Sequence, residues 1–273
     1  MTSQITLSGI EFASLRQSGR PSLQYAVSGN SSGQPVVMPH GYTDSWFSYS
    51  RLMPCLAAHT YQAIALSQRG HGDSDRPLDA YAADDFAADV VALLDALEIG
   101  QATLVGHSMG SVVARRVAEV HPERVSGLVL IGAIETPMAE AGTELRAAIQ
   151  PFGDRVPEAF AREFQASTIH APVPDAFFEQ VVAESMKLPA PVWRAVLDGL
   201  LEADDSRDLA RITAPTLLLW GEHDAYFPRD EQERLVAAIP DARLHVYADT
   251  GHSPHWERPA DVARDLEAFM RSL

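Results

Sequence analysis

The sequence predicts an α/β fold: a mostly parallel sheet with helices on both faces, interrupted by one helical insertion. Three observations predict it. Short apolar runs alternate with stretches of helical spacing from Leu23 to Ile131, and again from Thr216 to Met270. The runs are close to continuously apolar, as in Val125-Ser126-Gly127-Leu128-Val129-Leu130-Ile131, which suits strands buried on both faces. From Thr136 to Leu209 no strong strand pattern appears, and Pro137, Pro151, Pro157, Pro172, Pro174, Pro189 and Pro191 punctuate short helical pieces. The expected division is a discontinuous core, residues 1–135 and 210–273, with a helical cap of residues 136–209 inserted between two strands.

Each element has a local reason. Leu23–Val27 reads as a strand closed by the turn cluster Ser28-Gly29-Asn30-Ser31-Ser32-Gly33. Pro35–Met38 is a buried strand running into the loop Pro39-His40-Gly41, and Tyr61–Leu66 is a strand running into Gly70-His71-Gly72-Asp73. Asp84–Leu97 has an acidic start and apolar residues at Phe86, Val90, Leu93, Leu94 and Leu97, which is helical spacing. Thr103–Val105 is a strand, Val112–Val120 a helix stopped before Pro122, and Val125–Ile131 a strand. After the insertion come a strand Thr216–Trp220, a helix Gln232–Ile239, a strand Arg243–Tyr247 and an amphipathic helix Ala260–Met270.

Composition excludes several classes. The chain has 273 residues, 46% apolar and 21% charged, enough apolar surface to offset the entropy of ordering. Its net charge is 21 − 37 = −16, so nucleic acid and anionic membrane surfaces are unexpected partners. The single cysteine, Cys55, permits no intramolecular disulfide and fits a reducing compartment. Met1–Phe12 shows no basic segment followed by an apolar one, and no apolar run nears the length of a membrane span. A cytoplasmic protein is therefore expected.

The chemistry-bearing segment is Gly106-His107-Ser108-Met109-Gly110, which fits G-x-S-x-G between a strand and a helix. Small residues at 106 and 110 let strand and helix approach, holding Ser108 on a strained backbone with its hydroxyl exposed. The helix amino terminus then aims free N–H groups at the reaction site. A serine hydroxyl needs a base to take its proton. Asp224 follows the strand ending Leu217-Leu218-Leu219-Trp220, and His252 follows the next strand in Thr250-Gly251-His252. The chain order is nucleophile, acid, base.

With His40-Gly41-Tyr42 and Arg69-Gly70-His71-Gly72-Asp73-Ser74, these segments make five motifs in one order, and over nearly its whole length the chain resembles the α/β-hydrolase superfamily. The resemblance implies an eight-stranded, mostly parallel sheet and a cap after the sixth strand. It implies Ser108 as nucleophile, His252 as general base and then acid, and Asp224 as the residue orienting His252. It implies an oxyanion hole from the backbone N–H groups of Tyr42 and Met109, and no cofactor or metal. Ser67-Gln68 departs from the family pattern, in which an Asp often precedes the Arg-Gly pair by two residues.

Neighbouring residues have plainer readings. His40 and His107 are expected to hold loops. His252 and His255 are three apart, but Pro254 lies between them and no carboxylate motif accompanies them, so no metal site is expected. Glu135 is an alternative acid, weaker than Asp224 because Asp224 has the full strand-end context. Arg194 would meet a substrate carboxylate or sit in a surface ion pair. Serine at 108 excludes the aspartate-nucleophile branches, epoxide hydrolases and haloalkane dehalogenases. Ser253 stands where hydroxynitrile lyases of the superfamily carry Lys.

Acyl transfer to water remains, on small to medium apolar carboxylic esters or lactones. Carbon–carbon bond hydrolases of ring-cleavage diketones and cofactor-free perhydrolases share the same motifs and stay open. So does a ligand-binding or regulatory protein on the same fold. The aromatic residues Trp46, Phe152, Phe160 and Trp193 are the expected substrate wall, with Phe47, Phe164, Phe177 and Phe178 as further aromatics nearby.

Overall fold

A computed structural model describes residues 9–58, 60–138 and 140–273. Most of the amino-terminal stretch read for a signal peptide, residues 1–8, lies outside the described residues. Eight strands form one sheet: β1 (Ile10–Leu15), β2 (Leu23–Gly29), β3 (Gln34–Pro39), β4 (Tyr61–Leu66), β5 (Ala102–His107), β6 (Val125–Ile131), β7 (Thr216–Gly221) and β8 (Ala242–Tyr247). Their order across the sheet is β1-β2-β4-β3-β5-β6-β7-β8. The contacts of β2 with β1 and β4 are antiparallel, and every other pairing is parallel.

The helices are α1 (Met53–Ala57), α2 (Ala83–Ala96), α3 (Met109–Val120), α4 (Glu140–Ile149), α5 (Glu158–Ala166), α6 (Asp175–Ser185), α7 (Ala190–Leu201), α8 (Arg229–Ala238), α9 (Pro254–Glu257) and α10 (Pro259–Met270). A short 3-10 turn, Trp46–Tyr49, precedes α1.

The sheet separates two apolar layers, which explains why its central strands read as unbroken apolar runs. Along β6, Leu128 and Leu130 pack with α2 and α3 residues such as Val90, Leu93, Val113 and Val117. Val129 and Ile131 point the other way, into a layer with Leu56 of α1 and Leu266 and Phe269 of α10. The strand β1, absent from the sequence reading, is an edge strand with most of its residues exposed. It therefore lacks the apolar signature of its neighbours.

Four helices, α4–α7, separate β6 from β7. Pro157, Pro174 and Pro189 stand immediately before α5, α6 and α7 in extended conformation. A proline there removes no helix hydrogen bond, because the first N–H groups have no intrahelical partner. Gly199 of α7 lies against the backbone: a Cβ there would sit 2.0 Å from the Tyr81 carbonyl oxygen. No helix among the described residues is long and apolar enough to cross a membrane.

The topology places chemistry at one edge. β3, β5, β6, β7 and β8 are parallel and adjacent. The loops after β3, β5, β7 and β8 thus emerge together at the carboxyl end of the sheet, where α/β folds bind their ligands. Those loops carry Tyr42, Ser108, Asp224 and His252.

Candidate active site

The turn from β5 to α3 is forced into a sharp bend. Ser108 has φ 52° and ψ −119°, a left-handed φ that a residue with a Cβ rarely adopts. Both flanking glycines are required by backbone contacts. A Cβ on Gly106 would sit 2.1 Å from the Gly110 carbonyl oxygen, and one on Gly110 would sit 2.0 Å from the Pro39 carbonyl oxygen. The Ser108 N–H donates to the Ile131 carbonyl at 2.9 Å, tying the turn to the end of β6. Helix α3 starts directly after it, three residues earlier than its apolar spacing predicts. The missing signal is understandable, because Met109, Gly110 and Ser111 are all buried and show no amphipathic alternation.

His252 and Asp224 meet as a pair. His252 Nδ1 lies 2.8 Å from Asp224 Oδ2, with both side chains buried. The other carboxylate oxygen, Oδ1, accepts the N–H groups of Tyr226 at 2.9 Å and Phe227 at 3.1 Å. Burial pushes the Asp224 carboxyl up, but the His252 charge, its hydrogen bond and the two N–H donors hold it below the usual range. An anion at Asp224 fixes the proton on Nδ1 and leaves Nε2 of His252 as the basic nitrogen. The ring packs onto Gly132, where a Cβ would sit 2.6 Å from Nδ1. Glu135, the alternative acid, is instead held by Arg234 at 2.6–2.9 Å. Glu222 is exposed.

The loop after β3 is fixed by buried polar contacts. His40 Nδ1 donates to the Gly41 carbonyl at 2.8 Å, and its Nε2 accepts the Gln68 N–H at 3.0 Å. The Gln68 side chain donates back to the His40 carbonyl at 2.8 Å. Gln68, part of the departure from the family pattern, therefore locks this loop. Burial and the neighbouring His71 keep His40 well below its usual value and neutral. The Tyr42 hydroxyl donates to the Trp193 carbonyl at 2.7 Å, joining the loop to α7. Among the described residues, no backbone hydrogen bond outside the helices and strands uses the N–H of Tyr42 or Met109. Met109 is the first residue of α3, where an N–H has no intrahelical acceptor.

His107 lies behind the site, fully buried, with Nε2 3.3 Å from the His252 carbonyl and Nδ1 3.7 Å from Asp44 Oδ2. Burial lowers its pKa. His255 makes its contact with the Ser48 hydroxyl at 3.1 Å. His252 Nδ1 is committed to Asp224.

Ser108 and His252 open onto one cavity. Its empty space is about 550 Å³, part of it open to solvent. Ile134, Met138, Leu145, Phe164, Leu197 and Leu200 form an apolar wall, with Tyr226 and Phe227 from the loop after β7. Asp44, Gln165 and Thr168 supply polar groups. Gln165 Nε2 reaches Thr43 Oγ1 and Asp44 Oδ1 at 3.2 Å and Ser185 Oγ at 2.8 Å.

The four aromatics expected to form the substrate wall do not line this cavity. Trp46 packs edge-on against Phe12 and Phe47. Trp193 is fully buried behind Tyr42 and Phe164, with ring centroids 5.5 and 5.8 Å away. Phe152 and Phe160 pair with each other at 5.0 Å on its far side. Trp193 lies on the buried face of α7 with Phe160 of α5 beside it, Phe152 is in the loop between α4 and α5, and Trp46 is in the 3-10 turn against β1. Aliphatic residues on α4 and α7, together with Phe164, line the cavity with Ser108. Arg194 does not line this cavity and, among the described residues, forms no ion pair; it donates to the Phe152 carbonyl at 2.7 Å.

Comparison with known proteins agrees with this architecture. The family model for the α/β hydrolase fold matches residues 34–259. A non-heme chloroperoxidase of Streptomyces lividans is 31% identical, covering 88% of this chain and 92% of its own. A 2-hydroxymuconate semialdehyde hydrolase of Pseudomonas sp. (strain CF600) is 33% identical, covering 87% of each chain. The esterase EaEST of Exiguobacterium antarcticum superposes with a TM-score of 0.86 at 22% identity, over 94% of this chain and 98% of its own, a likeness of fold. With its sheet order, its strained serine turn and a match spanning most of its length, the chain belongs to the α/β-hydrolase family.

Proposed function

We propose that the chain is a serine hydrolase that cleaves small to medium apolar carboxylic esters or lactones through an acyl-enzyme on Ser108. The observation that carries this reading is one cavity onto which a strained serine and an Asp224-paired His252 both open. In the first half-reaction His252 Nε2 takes the Ser108 proton as Oγ attacks the carbonyl carbon. The tetrahedral oxyanion is met by the N–H groups of Tyr42 and Met109, worth about 2.7–4 kcal/mol each in comparable sites. Asp224 stabilises the imidazolium formed meanwhile. His252 then protonates the leaving alkoxide, and a water activated by the same ring hydrolyses the acyl-enzyme. Helices α4–α7 act as the cap, and their aliphatic side chains give the acyl or alcohol group its apolar surroundings.

A series of p-nitrophenyl esters from acetate to dodecanoate tests the reading. We expect turnover with a short-to-medium optimum, and a loss of about a millionfold in Ser108→Ala, since removal of the nucleophile disables the triad as a unit. A Ser108→Ala protein that keeps most of its activity would overturn it.

A second reading is carbon–carbon bond hydrolysis, favoured by the identity with the semialdehyde hydrolase. The cavity chemistry weighs against it for substrates bearing a carboxylate. Such a group would lie near the Asp44 carboxyl, with no Arg or Lys among the described lining residues. Turnover of a ring-cleavage diketone above the best ester would establish that second reading. A perhydrolase, in the manner suggested by the chloroperoxidase likeness, would give faster acyl transfer to hydrogen peroxide than to water.

A further inference from the structure

We propose that His170, His223 and Asp249 form a binding site for a divalent transition-metal cation of the zinc class, joining the helical insertion to the two loops that carry Asp224 and His252. The residues are 53 and 26 positions apart in sequence, so no spacing motif announces them. The fold brings them together. His170 lies four residues beyond α5, His223 in the turn after β7, and Asp249 in the turn after β8. One ligand atom from each lies within 4.8 Å of the other two. The two imidazoles stack with centroids 3.9 Å apart and planes 14° apart, and His223 Nε2 is 3.9 Å from Asp249 Oδ1.

The backbones beneath these side chains are held. The His223 N–H donates to the Thr250 carbonyl at 2.8 Å. Glu257 Oε2 accepts the N–H groups of His170 at 3.3 Å and Ala171 at 2.6 Å, while its Oε1 accepts that of Gly251 at 2.8 Å. Gly251 has no room for a side chain, since a Cβ would sit 2.6 Å from the His170 nitrogen. The anchored segments thus meet where the three side chains are exposed. Zinc bonds to imidazole nitrogen and carboxylate oxygen of about 2.0–2.2 Å in a tetrahedron put ligand atoms roughly 3.3 Å apart. Side-chain rotation that fans the stacked rings apart and draws Asp249 inward closes the difference, with solvent as fourth ligand. Two imidazoles and one carboxylate suit zinc, nickel or copper, whereas magnesium and calcium favour oxygen-only sites.

The test is calorimetric titration of tag-free, chelator-stripped protein with zinc chloride, and with magnesium chloride as control, beside thermal unfolding. It uses wild type, His170→Ala, His223→Ala and His245→Ala. His245 is an exposed histidine 3.5 Å from Asp265 and reports ordinary surface binding. We expect one equivalent of zinc, a raised Tm with zinc, and no saturable magnesium binding. Affinity should fall at least about tenfold in His170→Ala and in His223→Ala, since even a hydrogen-bond partner of a metal ligand supplies about 10–100-fold, and hold in His245→Ala. No saturable zinc binding overturns the proposal. So does binding unchanged in both ligand variants, or lost in only one of them, which would mean a lone surface histidine and no bridge. The readout is binding and stability, so the result stands apart from which substrate the enzyme takes.

Discussion

At Gly110 a single missing methyl group decides whether the nucleophile turn can form. The Pro39 carbonyl oxygen occupies the place a Cβ would take, and backbone on the other side cannot swing aside as a side chain would. Gly110→Ala is expected to destabilise by more than about 3 kcal/mol, the upper end of ordinary overpacking, measured by urea unfolding. At this scale the sequence was highly informative. Gly106 and Gly110 carry their reason in their identity, and Ser108, Asp224 and His252 stand beside strand ends that could be recognised. The cavity wall was opaque for an equally physical reason. Trp46, Phe152, Phe160 and Trp193 satisfy the same spacing whether they face a pocket or the core. Only the packed structure distinguishes Trp193, buried behind Tyr42, from Leu197 and Leu200 one turn or two further along α7.

Helix α3 joins two different environments. Its amino end opens at Ser108, while its last turns bury Glu119, whose exposure is only 1%. Glu119 Oε2 has one distant donor, Arg116 Nη1 at 3.4 Å, and Oε1 has no hydrogen-bond partner. Burial and the nearby Asp205 push this carboxyl up to about 8, against the pull of Arg115 and Arg116. An acid raised on folding is favoured while protonated. Its contribution is full below the unfolded carboxyl value of about 4.3 and is lost as pH rises toward the folded value. Glu119→Gln keeps the shape without the ionisation. It should raise Tm at about pH 8 by roughly 2–4 °C, the shift for about 1 kcal/mol, with the gain vanishing near pH 4. Thermal scans across that range check it, and a gain that grows on acidification would overturn the assignment. Among elements, those with buried faces were legible, down to the residues of β4 and β6. The strand β1 and the short turns around α1 were not, because exposed edges and four-residue helices carry too little periodicity.

Across the whole molecule, the change of pattern after Ile131 signalled the run of helices α4–α7 between β6 and β7, but not how they sit on the sheet. Apolar packing of residues such as Ile149, Trp193, Val196 and Leu197 holds that orientation, together with a few polar bridges that no periodicity encodes. Gln165 reaches Thr43 and Asp44 over the cavity. Arg115 binds Asp205 at 2.8 Å and the Ile134 carbonyl at 2.7 Å near the insertion's two ends. Glu257 spans His170, Ala171 and Gly251. Removing that last carboxylate frees three N–H groups at once. Glu257→Ala is expected to lower Tm by several degrees, about 2–4 °C for each kcal/mol lost, and to cut ester turnover several-fold. Hydrogen exchange should accelerate together in residues 169–171 and 250–252, and acceleration in only one of these stretches would argue against a shared anchor.

The Glu257 bridge ties two stretches of chain, about 80 residues apart in sequence, to a single carboxylate. Its carboxylate grips the insertion on one side and the residue before His252 on the other. A displacement of residues 170–171 is therefore transmitted through one side chain to the segment that positions His252, so the two stretches share their order or lose it together.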